Sequence, residues 1–165
     1  MAHKKVNMKE QLLSNVLYSK IIPLEYREIS IKVDNWKKEK YIQNQSNQHI
    51  ISTSEGFNVK TRSEEAIVMF LSSHKIPFRY EEQLIIQGEI FYSQFTIMNT
   101  NTGKVFYLEY LENYNLLENY SNFLYKLSKY EAYGIVPGIN LMIIYEGSDL
   151  DFRLKYFEDN IRLFL

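Results

Sequence analysis

The 165-residue chain contains no cysteine. That excludes disulfide frameworks, thiolate metal sites and thiol nucleophiles. Its six glycines are isolated from one another, so no glycine-rich loop is present to cradle a phosphate. The three histidines, His3, His49 and His74, share no metal-ligand spacing and read as ordinary surface residues. The longest apolar runs, such as Leu141–Tyr145, fall far short of the roughly 20 residues a membrane-spanning helix needs. Residues 1–5 are polar and basic, but no leader-type apolar core follows them, so a cytosolic protein without a membrane partner is expected.

What is present fits one globular domain with a real core: 45% hydrophobic and 24% charged residues. Fourteen tyrosines and ten phenylalanines stand out, a bias of the kind AT-rich coding produces. The net charge of -1 hides an asymmetry. Residues 1–62 carry eleven Lys or Arg against six Asp or Glu, whereas residues 63–165 carry eight against fourteen. A basic first part before an acidic body suits contact with phosphates through one region. Lys37, Lys38, Lys40, Lys60 and Arg62 are its candidate nucleic-acid contacts. An ordinary solvated surface would carry the same charges.

Along the chain, Leu12, Leu13, Val16, Leu17 and Ile21 recur at helical spacing and predict a helix over 8–22 that Pro23 ends. Ile29, Ile31 and Val33 alternate like a short strand in a segment, 26–50, whose pattern is otherwise poor. Thr61 or Ser63 can cap a helix whose first turn holds Glu64 and Glu65 and whose apolar face carries Ala66, Ile67, Phe70 and Leu71. Short strands are then predicted at 78–80 and 84–86, a turn at Gln87-Gly88, and a strand over 89–98. A turn at 101–103 and a strand over 105–110 complete a meander of three or four strands. A long helix over 115–133 closed by Gly134, a buried strand at 141–145 and a final amphipathic helix over 150–165 follow. The order is helix, meander, helix, strand, helix.

Five segments in this order resemble the PD-(D/E)XK nuclease superfamily, and a small bacterial group within it that has an upstream extension. Lys60-Thr61-Arg62-Ser63-Glu64 matches a motif of the form R-S-K-S-E. Residues Lys75-Ile76-Pro77-Phe78-Arg79-Tyr80-Glu81 match "gIPfrYE", and Tyr92-Ser93-Gln94-Phe95-Thr96-Ile97 matches "Y-P-D-F-T-I". Thr102-Gly103-Lys104 with Tyr107-Leu108-Glu109-Tyr110 matches "T-G-K…Y-W-E-H", and residues 130–142 match "Y…G-I-x-P-g-x-N-L-I". The resemblance spans residues 22–165.

It implies an α/β (α+β-like), restriction-endonuclease-like fold: a mixed central sheet flanked by helices, with residues 1–50 as a basic N-terminal helix and extension and 51–165 as the nuclease-like core. It also implies catalytic positions at Glu64, at residue 94, at Glu109 and, for a cationic helper, at Tyr110 or Leu111. Two of these depart from the family pattern. Gln94 stands where the central metal-binding aspartate is found, with Ser93 in place of the proline beside it, and Tyr110 stands where relatives have histidine. Magnesium wants charged oxygen ligands, and a tyrosine offers one hydrogen bond but no positive charge.

The expectation is therefore a degenerate nuclease-fold protein that mainly binds nucleic acid or a nucleic-acid-processing protein, with weak or no phosphodiester cleavage. No cofactor is expected unless catalysis persists, in which case Glu64 and Glu109 hold magnesium or manganese. One alternative is a working endonuclease in which Glu89 or Glu112 has moved into the role. The other is a regulator that binds a partner protein. The tyrosines at 107, 110, 114, 120, 125, 130 and 133 offer stacking surfaces for unpaired bases or, more economically, core packing.

Overall fold

The structure, a computed structural model, describes residues 24–45, 51–111, 117–145 and 150–165. The helix expected over 8–22 lies outside them, as do His3, His49, Glu112 and Tyr114. The first described element is a helix, α1 (Leu24–Lys38), where alternation had predicted a strand. Ile29, Val33 and Trp36 follow the four-and-three spacing of one helical face, with Val33 buried and Ile31 60% exposed. Ile29 and Lys32 lie over Gly103, where an added Cβ would come within 3.2 Å of the Lys32 side chain. Helical periodicity therefore prevails over a three-residue alternation.

A small antiparallel pair, β1 (Ile51–Ser52) with β2 (Asn58–Val59), leads into α2 (Arg62–Ser73). Three strands then form the expected antiparallel meander: β3 (Phe78–Ile86), β4 (Glu89–Met98) and β5 (Val105–Leu111). The turn between β3 and β4 is the expected Gln87-Gly88. Both residues have positive φ, 52° and 84°, as a two-residue hairpin that keeps the twist of its strands requires. The crossover helix α3 (Leu117–Ala132) returns the chain to β6 (Leu141–Tyr145), which lies parallel to β5, and α4 (Leu150–Ile161) follows. The strand order is β3-β4-β5-β6, a four-stranded mixed sheet flanked by helices.

One boundary differs from expectation. Glu81, Glu82 and Gln83 read as a break between two short strands, yet β3 is continuous through them. Their charge is matched inside the fold: Glu81 pairs with Lys60, and Glu82 with Arg79. Paired carboxylates are tolerated in a buried strand where unpaired ones are not.

The sheet separates two cores. One gathers Ile67, Val68 and Leu71 of α2 and Phe157 and Ile161 of α4 with Tyr80, Phe95, Ile97, Leu108 and Ile144. The other gathers Leu127 and Tyr130 of α3 with Leu84, Ile86, Phe91, Tyr107 and Leu141. Tyr80 and Leu84 are four residues apart, as are Phe91 and Phe95, so regular strands would put each pair on one face. They join different cores instead. The change falls at Glu81, whose φ of 50° is left-handed, and at Gln94, the two residues that lie between the Tyr80↔Phe95 and Glu82↔Ser93 pairs.

Candidate functional site

The β4–β5 ladder runs from Met98↔Val105 to Phe95↔Leu108. Beyond it, β4 stays with β3 while β5 stays with β6 as far as Leu111. The two strands part at Gln94 and Glu109, and a cleft of about 580 Å³ opens beside them. Lys60, Glu81, Tyr92, Gln94, Glu109 and Lys126 are among its lining residues.

The backbone explains what Gln94 does. The Tyr107 N–H donates to Asn140 O at 2.8 Å, toward β6. By strand alternation the Tyr110 N–H faces β4, where the ladder has ended. Gln94 Oε1 accepts that N–H, and Gln94 Nε2 donates to Glu64 Oε1 at 3.3 Å. One amide thus closes the opened ladder on one side and ties it to α2 on the other. An orphaned buried N–H would cost about 1–3 kcal/mol.

Glu64 is only 1% exposed. Its Oε2 accepts the Lys60 N–H at 2.8 Å, the Thr61 N–H at 3.0 Å and the Tyr80 hydroxyl at 3.0 Å. The Glu64 N–H donates back to Thr61 Oγ1 at 3.2 Å, which completes a capping box. Burial pushes the Glu64 carboxyl above the ordinary carboxylate range, against the opposing pull of these hydrogen bonds and the Lys60 charge. The Tyr80 hydroxyl is pushed up by burial and then by the Glu64 and Glu81 charges, so it stays protonated as a donor.

Glu109, 4% exposed, is held differently. Lys126 Nζ donates to Oε2 at 2.7 Å and the Tyr130 hydroxyl to Oε1 at 2.8 Å. The same ammonium donates to Tyr92 O at 2.7 Å. Burial, followed by the Glu109 charge, holds the Tyr130 hydroxyl protonated well above its ordinary value.

The structure brings Glu64, Gln94 and the Tyr110 backbone into one hydrogen-bonded chain, with Glu109 the next residue along. The Tyr110 hydroxyl is not part of the cleft chemistry: it accepts from Ser63 Oγ at 3.2 Å at the start of α2. Leu111 is buried. Glu89 sits on the surface with Lys129 and Tyr125, where the Lys129 contact and then the Tyr125 hydroxyl lower its carboxyl. His74 stacks on Phe70 behind α2. Tyr107, Tyr110 and Tyr130 pack into the sheet, whereas Tyr120, Tyr125 and Tyr133 are exposed.

The basic candidates do not form one patch. Lys37 lines a groove with Lys75, beyond the C-terminal end of α2, while Lys60 and Arg62 precede and open it. The helix between them spans about 18 Å. Several residues of the cleft escaped sequence reasoning, among them Asn44, Asn119, Asn122, Phe123 and the two charged groups Glu81 and Lys126. Glu81 looked like part of a loop between strands, although its place between the same register pairs as Gln94 follows once β3 is continuous. Lys126 carried a signal, being a lysine on the inward stripe with Phe123 and Tyr130.

Among the described residues, no three His, Asp or Glu side chains gather as a set that could hold a metal ion. The residues implied for magnesium do not fit it. Both Glu64 oxygens accept protein donors, Glu109 carries a lysine ammonium, and Gln94 directs its only carbonyl oxygen to the Tyr110 backbone. Comparison with protein-family models, with curated proteins and with solved structures gives no match.

Proposed function

We propose that this chain is a catalytically silent protein on a restriction-endonuclease-like scaffold that binds single-stranded nucleic acid without a metal. The observation that carries this reading is the closure of the Glu64–Gln94–Tyr110 chain. A metal-dependent nuclease needs carboxylate oxygens open to the ion, which polarises the scissile phosphate and activates water. Here those oxygens bind N–H and O–H groups of the protein, and a lysine occupies the neighbourhood of Glu109. The cleft remains open, and its lining combines amide and aromatic side chains with two Lys–Glu pairs, which suits binding better than hydrolysis.

The test is incubation of the full chain with single-stranded DNA, duplex DNA and RNA in magnesium and in manganese, with filter binding across a salt series in parallel. Binding without cleavage is expected, and the salt slope counts how many phosphates take part. Robust turnover abolished by Glu109→Ala would sink the reading in favour of an active endonuclease.

One observation favours a second reading, a partner-protein regulator. Ile139 (74% exposed) and Leu163 (80% exposed) flank an apolar groove beside β6 with Tyr145 and Tyr156. Absence of nucleic-acid binding in the filter assay would put this reading ahead.

A further inference from the structure

We infer that the N-terminal half of α3 and the strands below it form a pocket for one unpaired nucleobase. The inference rests on the nucleic-acid reading above and names what enters the cleft.

A helix lying over a sheet buries an apolar stripe at spacings of three and four. The C-terminal half of α3 does this with Leu127 and Tyr130, which pack in the second core. Its N-terminal half does not. Asn119, Asn122, Phe123 and Lys126 follow the same three-and-four spacing, and all four line the cleft. Among the described residues, two asparagines on the cleft side of this helix leave the sheet below them unsealed, and the cleft lies there. Asn44 adds a third amide from the far wall, and Tyr92 and Phe123 add aromatic surface.

The electrostatics select the ligand. Lys60 is paired with Glu81 and Lys126 with Glu109, so among the described lining residues two ammonium groups are matched by two carboxylates and leave no net positive charge. A phosphate placed there would meet two carboxylates. A neutral, planar group with mixed donors and acceptors would not. Asparagine amides present a donor beside an acceptor, the pattern that pairs with base edges, and aromatic rings stack on base faces. Among the described residues, Lys126 donates two of its three N–H groups to Glu109 and Tyr92 O and lies 5.2 Å from the Tyr130 ring, and its third N–H can reach a base carbonyl or ring nitrogen. The volume of about 580 Å³ is in the range of small-ligand pockets and far too small for a duplex. The base is therefore unpaired, either in a single strand or in a free nucleotide.

The experiment is fluorescence anisotropy of the full chain in EDTA with three labelled probes: a single strand, its blunt duplex, and the same strand made abasic throughout. Competition with a nucleoside monophosphate accompanies each. The single strand is expected to bind roughly tenfold or more tighter than the other two. Phe123→Ala is expected to weaken single-strand binding roughly tenfold by loss of stacking, and Asn122→Ala roughly tenfold by loss of a base-edge hydrogen-bond pair. Asn122 is exposed on its helix, so its loss leaves the fold intact, as circular dichroism checks. Lys126→Met combined with Glu109→Gln removes both charges together and is expected to weaken binding without stranding a buried carboxylate.

Competition by the free nucleotide assigns the base to a nucleotide, and competition only by the strand assigns it to a strand. Either outcome keeps the pocket. Equal binding of the abasic strand or the duplex overturns the inference, as does single-strand binding that none of these variants changes, and in both cases the binding function still stands. Failure to bind any of the probes or the nucleotide overturns both.

Discussion

The two glutamates that the family resemblance picks out are both buried, and they are buried for different reasons. Glu64 is part of how α2 begins: its carboxylate accepts the Thr61 N–H of its own capping box, the Lys60 N–H just before it and a tyrosine hydroxyl from β3. Glu109 is part of how α3 is held over the sheet: it faces a lysine and a tyrosine from that helix, at the edge of an open cleft. The first carboxylate is enclosed by the fold and the second is within a ligand's reach. Two acids picked out by one resemblance therefore play two different roles in the fold. In this chain the helix acid is structural, and the strand acid organises a pocket wall.

The contrast predicts unequal costs of mutation. Glu64→Ala removes the capping box and the acceptor of the Tyr80 hydroxyl, so it should destabilise the fold by about 2–3 kcal/mol in urea titration. If it costs no more than a surface change, the capping account of Glu64 fails. Lys126→Met leaves Glu109 without its cation and should cost about 2 kcal/mol. That is below the value for a fully buried pair, because about a fifth of the lysine side chain remains exposed. Adding Glu109→Gln should recover most of this loss. Gln94→Ala should cost about 1–2 kcal/mol by removing the side-chain acceptor of the Tyr110 N–H. Protection of that amide in hydrogen exchange should fall in the variant, and unchanged protection would contradict the bridging role.

The smallest effect is the pH dependence, and its sign separates Glu64 from a surface acid. Burial raises the folded-state Glu64 carboxyl above its ordinary value, so the folded protein binds a proton there more tightly than the unfolded chain. Stability should therefore fall as pH rises from the ordinary carboxylate value through the raised one. Glu64→Gln should abolish that slope. Glu89 has the opposite sign: its lowered carboxyl contributes stability that is lost only as pH falls below the ordinary value. A wild-type and Glu64→Gln pair with identical pH–stability curves would show that Glu64 is not desolvated.

Much of this architecture was legible in the residues. Thr61 and Glu64 carry a capping signal three residues apart, Gln87-Gly88 a turn signal, and residues 89–98 a strand whose limits match β4. Such signals are local, so sequence spacing expresses them. The parts that escaped depend on pairings made only in the folded chain. Lys60 meets Glu81 across 21 positions and Glu109 meets Lys126 across 17, and neither leaves a periodic trace. The α1 helix was obscured by Ile31, an exposed apolar residue that turned a four-and-three spacing into an apparent alternation. The site was legible as a set of positions, but not in its chemistry. Gln94 was read as an absent aspartate, whereas the fold uses it as the amide that joins two diverging strands to a helix.

The central claim is that these acidic positions are already engaged by the protein's own donors and so take no metal. Calorimetric titration of magnesium, and then manganese, into the full chain tests it most directly. The account predicts no saturable binding, in the wild type and in Glu109→Ala alike. A saturable isotherm in the wild type that disappears in Glu109→Ala would contradict it and return the cleft to metal chemistry.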